Sequence, residues 1–205
     1  MDNIWITSDL HLMHSKSFLW QPRGFSSTEE MCEAIVERWT SVVDKGDLVY
    51  NLGDIALSDT DAAIPYLQRL NGYQVWLKGN HDSDNRVSKV LDACPNIHLL
   101  DGLNSSYATI IKSGKWRFYL SHYPTLTGNF DEKHLNHCLI SLHGHTHQQT
   151  NWLDPKNPFM YHVGLDSHNC TPVHIDEVIS DIRQRWNDLS KMIQPQDTYP
   201  YISTI

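Results

Sequence analysis

Carboxylate, carboxamide and imidazole side chains recur in five short blocks along the chain. Each block follows a short apolar segment with the length and composition of a buried β-strand. The blocks contain Asp9 and His11, then Asp54, then Asn80 and His81, then His122, and finally His145 and His147. In an α/β sheet, the loops beyond the carboxyl ends of the strands meet in one crevice, where ligands bind. We therefore expect these side chains to form a single site.

The chemistry of this set favours divalent metal ions. Oxygen and imidazole donors without a thiolate suit borderline ions such as Mn²⁺, Fe²⁺, Zn²⁺ or Ni²⁺. The set holds more donors than the four that a tetrahedral ion takes, so two ions that share one carboxylate fit it better. A pair of ions about 3.5–4 Å apart is the usual device for displacement at phosphorus. The donors therefore indicate a two-metal centre that acts on a phosphate ester.

Composition and charge exclude several other classes of protein. The chain has 205 residues, of which 40% are hydrophobic and 20% charged, so it can build the core of one globular domain. The chain has a formal charge of −8, whereas proteins that bind along a nucleic acid carry a basic surface that contacts its phosphates. We therefore expect no extended nucleic-acid binding. Bound divalent cations would reverse this charge locally and attract a small anionic substrate.

The sequence favours a cytoplasmic location. Asp2 stands where a signal peptide would carry its positive charge, and no 18-residue apolar run that would span a membrane occurs. The cysteines lie far apart with no CxxC pair, which favours neither a disulfide framework nor a thiolate metal site. They are Cys32, Cys94, Cys138 and Cys170. We expect them to be reduced and mostly buried.

Strand and helix patterns alternate along the chain. Strands are predicted at residues 3–8, 47–52, 73–78, 107–112, 116–121, 139–142, 161–163 and 173–175. One helix is predicted to follow a cap within residues 26–30 and to extend to about residue 42, and further helices are predicted at residues 59–70, 85–94 and 176–192, the last capped by Asp176. Ser113-Gly114-Lys115 predicts the turn of a hairpin. Because no repeat or linker divides the chain, we expect one domain over residues 1–193 and an irregular tail over residues 194–205.

Together, the polar blocks resemble the motifs of the calcineurin-like metallophosphoesterase superfamily, in particular its small bacterial and viral-type members without a cap domain. The matching segments are Asp9-Leu10-His11, Gly53-Asp54, Gly79-Asn80-His81-Asp82, His122 and Gly144-His145-Thr146-His147. Their order and strand-end context match over about residues 4–165. The resemblance implies a four-layer α/β/β/α sandwich with two mixed sheets, and a two-metal site at one edge of it.

The resemblance also implies a role for each residue of the site. One metal would be held by Asp9, His11, Asp54 and His147, and the other by Asp54, Asn80, His122 and His145. Asp54 would bridge two divalent ions, with Mn²⁺ the expected metal, and a hydroxide between the ions would be the nucleophile. His81 would face the scissile phosphate as a general acid, oriented by Asp82.

Other residues near these blocks are candidates to contact the substrate or to support the site. His14 completes the pattern Asp9-x-His11-x-x-His14 and is either a substrate contact or a surface histidine. Arg23 is a second candidate substrate contact, since its planar fork can clamp a phosphate oxygen, with a solvated arginine as the alternative. We expect Asp166 and His168 to lie at the rim of the site at most. We treat His143 and His162 as candidates to support the metal ligands from behind.

The predicted function is hydrolysis of small phosphodiesters or phosphomonoesters, including nucleotides and cyclic nucleotides, with diesters favoured. A protein phosphatase is the first alternative, but the signatures Gly-Asp-x-x-Asp-Arg-Gly and Gly-Asn-His-Glu of that branch are replaced by residues 53–58 and 79–82. A metal-binding interaction scaffold without turnover is the second alternative, and the complete donor set argues against it. The sequence does not indicate an oligomeric state.

Overall fold

Short strands and helices alternate along the residues that the computed structural model describes, which are 3–100, 107–127 and 135–192. The strands are β1 (Ile4–Thr7), β2 (Leu48–Asn51), β3 (Tyr73–Trp76), β4 (Ile97–Leu99), β5 (Ala108–Ser113), β6 (Trp116–Ser121), β7 (Leu139–His143), β8 (Met160–His162) and β9 (Val173–His174). The helices are α1 (Ser17–Trp20), α2 (Thr28–Val42), α3 (Thr60–Leu67), α4 (Asp84–Ala93) and α5 (Ile175–Met192).

The strands form two mixed sheets. The first sheet has the order β4-β3-β2-β1-β9, with β1 to β4 parallel and β9 antiparallel to β1. The second has the order β5-β6-β7-β8, in which β5 and β6 form an antiparallel hairpin and β6, β7 and β8 run parallel. The predicted α/β architecture with two mixed sheets is confirmed. Parallel strands end at the same edge of their sheet, so the polar blocks after them lie close together.

Helices α2, α3 and α4 pack on one face of the first sheet. Helix α2 begins where the Ser27 hydroxyl accepts a hydrogen bond from the Glu30 amide at 3.1 Å, as in a typical N-cap. Its apolar face buries Ile35 and Trp39, and the Trp39 indole donates to the carbonyl of Asn71 at 2.9 Å. Apolar contacts with the first sheet and the hydrogen bond from the Trp39 indole therefore hold helix α2 in place.

The opposite face of the first sheet packs against the second sheet. Ile4 and Ile6 of β1 lie in the same buried cluster as Phe118 of β6, and helix α5 adds Val178 and Ile182 to that cluster. The central strands of the first sheet are consequently buried on both faces. Burial on both faces explains why they are continuous apolar runs in the sequence rather than alternating ones.

Three details differ from the sequence prediction. Strand β4 was not expected, because a three-residue strand is too short to show a period, and it forms by pairing with β3. Helix α1 was likewise not expected. Helix α5 begins at Ile175, so Asp176 lies in its first turn rather than at its cap. The predicted tail, residues 194–205, lies outside the described residues, and among the described helices none is long and apolar enough to cross a membrane.

Packing between the two sheets gives a stability prediction. Phe118→Ala removes a fully buried ring and is expected to lower the free energy of unfolding by about 3–5 kcal/mol. Ile110→Ala on the neighbouring strand β5 is the matched control, since that side chain is 55% exposed and its loss should cost less than about 0.5 kcal/mol. Urea-induced unfolding measures both values, and equal losses would contradict the assignment of the core.

Candidate metal centre

Left-handed backbone turns bring the polar blocks to one place. Asp9, His11, Asp54, His145 and His147 have positive φ angles of 47–68°. Such angles are uncommon for residues other than glycine and cost about 1–3 kcal/mol each. The loops also hold one another, because the amide of His11 donates to the carbonyl of Asp54 at 2.9 Å. Clustered strain of this kind is typical of a functional site.

Two glycines allow the loops to approach so closely. A Cβ atom at Gly79 would overlap the carboxylate of Asp54, and one at Gly144 would overlap the carboxylate of Asp9. Both positions therefore have no room for a side chain. The glycine that precedes Asn80 and the glycine that precedes His145 are needed for close packing at the site.

The first set of donor atoms comes from Asp9, His11 and His147. The Nε2 atom of His11 lies 3.7 Å from Asp9 Oδ1 and 3.1 Å from His147 Nε2. Atoms bonded to one ion at about 2.0–2.2 Å lie roughly 2.8–3.6 Å apart, so these spacings are close to those of metal ligands. Asp9 Oδ1 is buried and has no hydrogen-bond partner among the described residues. A cation would satisfy that oxygen.

The second set comes from Asn80, His122 and His145. Asn80 Oδ1 lies 2.9 Å from both His122 Nε2 and His145 Nδ1, and the two nitrogens are 3.2 Å apart. Asp54 Oδ2 lies 3.4 Å from His122 Nε2 and 3.7 Å from His11 Nε2, so this carboxylate stands between the two sets. Asp9, Asp54 and His122 also form a group with metal-ligand spacing.

Hydrogen bonds on the far side of two imidazoles set which nitrogen is free. His122 Nδ1 donates to the carbonyl of Leu52 at 3.0 Å, and His147 Nδ1 donates to Asp166 Oδ2 at 3.0 Å. In each neutral ring, Nε2 then keeps its lone pair and faces the other donors. Support of this type is usual for metal-bound histidine.

Burial and neighbouring charges shift the pKa values at the centre. Burial opposes the charge of Asp54, but hydrogen bonding to His122 and the charge of that ring in its protonated form outweigh burial and lower the pKa of Asp54 to about 2. Burial likewise opposes the charge of His122, but the bond to Asp54 outweighs it and raises the pKa of His122, so this ring must release a proton when it binds a metal. Burial lowers the pKa of His11 well below its usual value, so this ring is neutral at pH 7. Burial raises the pKa of Asp9, which a cation beside it would offset. Ionised carboxylates and neutral imidazoles are the forms that bind metals.

The structure brings together every residue that the sequence predicts as a metal ligand. Their donor types and spacings fit two divalent cations, with Asp54 in the position expected for a shared ligand. The individual ligand assignments stay predictions.

His81 lies beside the donors and is accessible. Its ring is partly exposed, Nε2 is 4.0 Å from Asp54 Oδ2, and its amide donates to Asp54 Oδ1 at 2.8 Å. The expectation that Asp82 orients this ring is corrected by the structure. The buried Asp82 Oδ2 instead accepts hydrogen bonds from the amides of Asp54 and Gly79 at 2.7 and 2.8 Å and from the indole of Trp76 at 3.1 Å. Asp82 therefore holds the loops after β2 and β3 together.

The candidate substrate contacts have different surroundings. His14 is buried, with its ring 5.8 Å from that of His11. The side chain of Arg23 is only 1% exposed and forms two hydrogen bonds with Asp166, so neither a phosphate clamp nor a solvated arginine describes it. Asp166, expected at the rim, is buried under His147. Both expectations are corrected because the two side chains neutralise each other inside the protein.

His143 and His162 lie behind the centre as neutral rings. Both are fully buried, and burial lowers the pKa of His143 to about 4 and that of His162 to about 3. His143 Nδ1 hydrogen-bonds to the carbonyl of Gly144 at 3.0 Å, so it contacts the loop that carries His145. His168 bonds to the carbonyl of His162 and not to a metal-ligand candidate.

Two exposed aromatic side chains beside the centre were not predicted from the sequence. Tyr123 is 49% exposed, with its ring 4.6 Å from that of His145. Phe18 is 71% exposed, with its ring 5.2 Å from that of His14. The only sequence signal was the position of Tyr123 directly after His122. Exposed aromatic rings of this kind are more common at binding sites than elsewhere on a protein surface.

Comparison with known proteins identifies the family of this chain. The model of the calcineurin-like phosphoesterase family matches residues 3–193. The chain therefore belongs to the calcineurin-like phosphoesterases, a family of hydrolases that typically bind two metal ions.

Individual relatives agree over most of their length. The Gene 66 protein of Mycobacterium phage D29 is 29% identical over 200 residues, which cover 90% of this chain and 99% of the relative. An uncharacterized protein of Methanocaldococcus jannaschii is 29% identical over 192 residues, which cover 90% of this chain and 93% of the relative. A protein of unknown function from Aquifex aeolicus has a similar fold, with a TM-score of 0.63 at 19% identity over 88% of this chain and 99% of its own.

The contacts of Asp82 give a second prediction. Asp82→Ala leaves three buried N–H groups without an acceptor, each worth about 1–3 kcal/mol, so we expect the free energy of unfolding to fall by about 3 kcal/mol or more. Asp84→Ala, which removes an exposed carboxylate paired with Lys78, should change it little. Urea titration compares the two variants, and a small loss for Asp82→Ala would mean that the loops are held by other contacts.

Proposed function

We propose that this protein is a two-metal hydrolase of small phosphodiesters or phosphomonoesters, such as nucleotides and cyclic nucleotides, with diesters preferred. The main support is the position of Asp54 between two sets of donor atoms, with the accessible ring of His81 beside them.

Each donor set would hold one divalent ion. Asp9, His11, Asp54 and His147 would bind one, and Asp54, Asn80, His122 and His145 the other, with Mn²⁺ preferred over Fe, Zn or Ni. When bound, such ions would supply Lewis acidity that polarises phosphoryl oxygens and makes water a better nucleophile. Asn80 contributes a neutral oxygen, so the ions with Asp9 and Asp54 leave a local charge of about +2 that attracts a phosphate ester despite the overall −8.

His81 would supply the proton for the leaving group. Its ring is accessible, and its backbone amide is fixed by Asp54 Oδ1, which places the side chain at the edge of the donors. A protonated imidazole there can neutralise the departing oxygen as the ester bond breaks.

The surroundings of the site favour a small aromatic ester. The exposed ring of Tyr123 packs against His145 of the second donor set, and the exposed ring of Phe18 packs against His14, whose ring lies 5.8 Å from that of His11. A nucleobase stacks well on such rings. The acidic overall charge disfavours a long polyanion, and the four cysteines are buried and form no disulfide within the described residues, which is consistent with the cytoplasm.

Activity measurements distinguish the proposed function from the two alternatives, a protein phosphatase and a metal-binding scaffold. A protein phosphatase would hydrolyse a phosphopeptide faster than small esters. A scaffold would bind the metals and turn over no ester.

The first test is hydrolysis by metal-stripped protein refilled with Mn²⁺, with bis-p-nitrophenyl phosphate and p-nitrophenyl phosphate assayed in parallel. We expect turnover that depends on Mn²⁺, is faster on the diester, and falls by at least about 10²-fold in Asp54→Ala, because a shared ligand is lost. His98→Gln is the control, since this histidine stacks on Tyr73 away from the centre. Protein that binds Mn²⁺ but hydrolyses neither ester would favour the scaffold.

The role of His81 is tested through the leaving group. With both metals bound, His81→Ala should slow an alkyl ester, which has a basic leaving group, by about 10²–10⁴-fold and slow a p-nitrophenyl ester much less. Both esters are assayed on the same preparation of the variant, so a defect in folding or metal content would slow both of them equally. An unchanged rate on the alkyl ester would show that His81 is not the general acid.

A further inference from the structure

His147 has a buried carboxylate behind it. Its Nδ1 atom donates to Asp166 Oδ2 at 3.0 Å, while its Nε2 atom faces His11 Nε2 at 3.1 Å. The ring therefore connects the donor set on one side to a carboxylate on the other. The residues are separated by 19 positions in the sequence.

Arg23 holds this carboxylate in place. Its Nε donates to Asp166 Oδ1 at 3.0 Å and its Nη2 to Asp166 Oδ2 at 2.8 Å, which is a bidentate pair. Nη2 also donates to the carbonyl of Asp9 at 2.7 Å, and Nη1 to that of Leu10 at 3.3 Å. One guanidinium thus fixes both the backbone that carries Asp9 and the carboxylate behind His147.

The charges of this pair suit a place beside a metal centre. Arg23 neutralises Asp166, so the carboxylate adds no net negative charge next to Asp9 and Asp54. With both of its oxygens engaged by Arg23, Asp166 is also kept from turning toward the donor atoms as a further ligand.

The first donor set needs such support at His147 in particular. The His147 side chain is 36% exposed, whereas that of His11 is only 2% exposed and is held by surrounding atoms. An exposed ring on a surface loop can rotate about its side-chain bonds, and rotation would move Nε2 away from Asp9.

We propose that Asp166, held by Arg23, is a positioning residue that fixes the tautomer and orientation of His147 for one of the two metal ions. The proposal deepens the proposed function and rests on it. Asp166 would act through His147, and Arg23 would act through Asp166 and through the backbone carbonyls of Asp9 and Leu10.

The direct test uses Asp166→Asn. An amide oxygen in place of Oδ2 would still accept from His147 and Arg23 Nη2, but the NH₂ group would then face the Nε–H donor of Arg23. The flipped amide would lose the contacts with both His147 Nδ1–H and Arg23 Nη2, so neither orientation keeps all three hydrogen bonds. We expect one Mn²⁺ site to weaken by about 10–100-fold in isothermal titration calorimetry, with the other unchanged. In the metal-free protein at alkaline pH, ¹⁵N NMR should show His147 as the Nδ1–H tautomer in the wild type and as a mixture in the variant.

Two further variants separate positioning from general stability. Asp181→Asn alters a carboxylate that accepts from Tyr161 and Asn151 away from the centre, and it should leave both Mn²⁺ sites and the His147 tautomer unchanged. Arg23→Lys keeps the positive charge but loses the bidentate fork, and it should weaken the same single site. This variant also tests the proposal if Asp166→Asn does not fold.

The outcomes distinguish the two proposals. If the wild type binds no Mn²⁺, the proposed function fails. If it binds two ions and Asp166→Asn and Arg23→Lys leave both affinities and the tautomer unchanged, or weaken both sites equally, the positioning role is wrong.

Discussion

Mutual repulsion of electron-rich atoms is the constraint that the rest of this structure must meet. Oxygen and imidazole nitrogen atoms converge within 2.9–3.9 Å at the carboxyl ends of strands from both sheets. Without a cation between them, such atoms separate unless the surrounding protein holds them. The two-sided burial of β1 and β2, the interlocked loops and the close glycine contacts all provide that rigidity.

Different chemical groups hold the donor-bearing loops on different sides of the centre. Asp82 ties two loops through N–H donors, Leu52 aligns His122 through a carbonyl, and Asp166 aligns His147 through a carboxylate. Each support binds a part of the ligand-bearing loop that faces away from the donors. The donors are therefore left with few partners of their own, which is the condition a metal site requires.

Much of this arrangement was predictable from local sequence. Strand patterns followed by polar blocks located the ligands, because parallel strands place their carboxyl ends at one edge. Side-chain direction within a loop was not predictable. Asp82 is adjacent to His81 in sequence, yet its carboxylate points to the amides of Asp54 and Gly79, since the turn that follows β3 directs it inward. Long-range pairs such as Arg23 and Asp166, 143 positions apart, give no local signal at all.

The left-handed turns at the donor residues have a consequence for stability. Glycine is the residue that such backbone angles favour, and aspartate and histidine occupy them at a cost to stability. In the proposed metal centre, the donor atoms give a functional reason for side chains that the backbone angles disfavour. Exchange of a donor for glycine would relieve the backbone strain at that residue, so part of the stability lost with its buried contacts would be recovered.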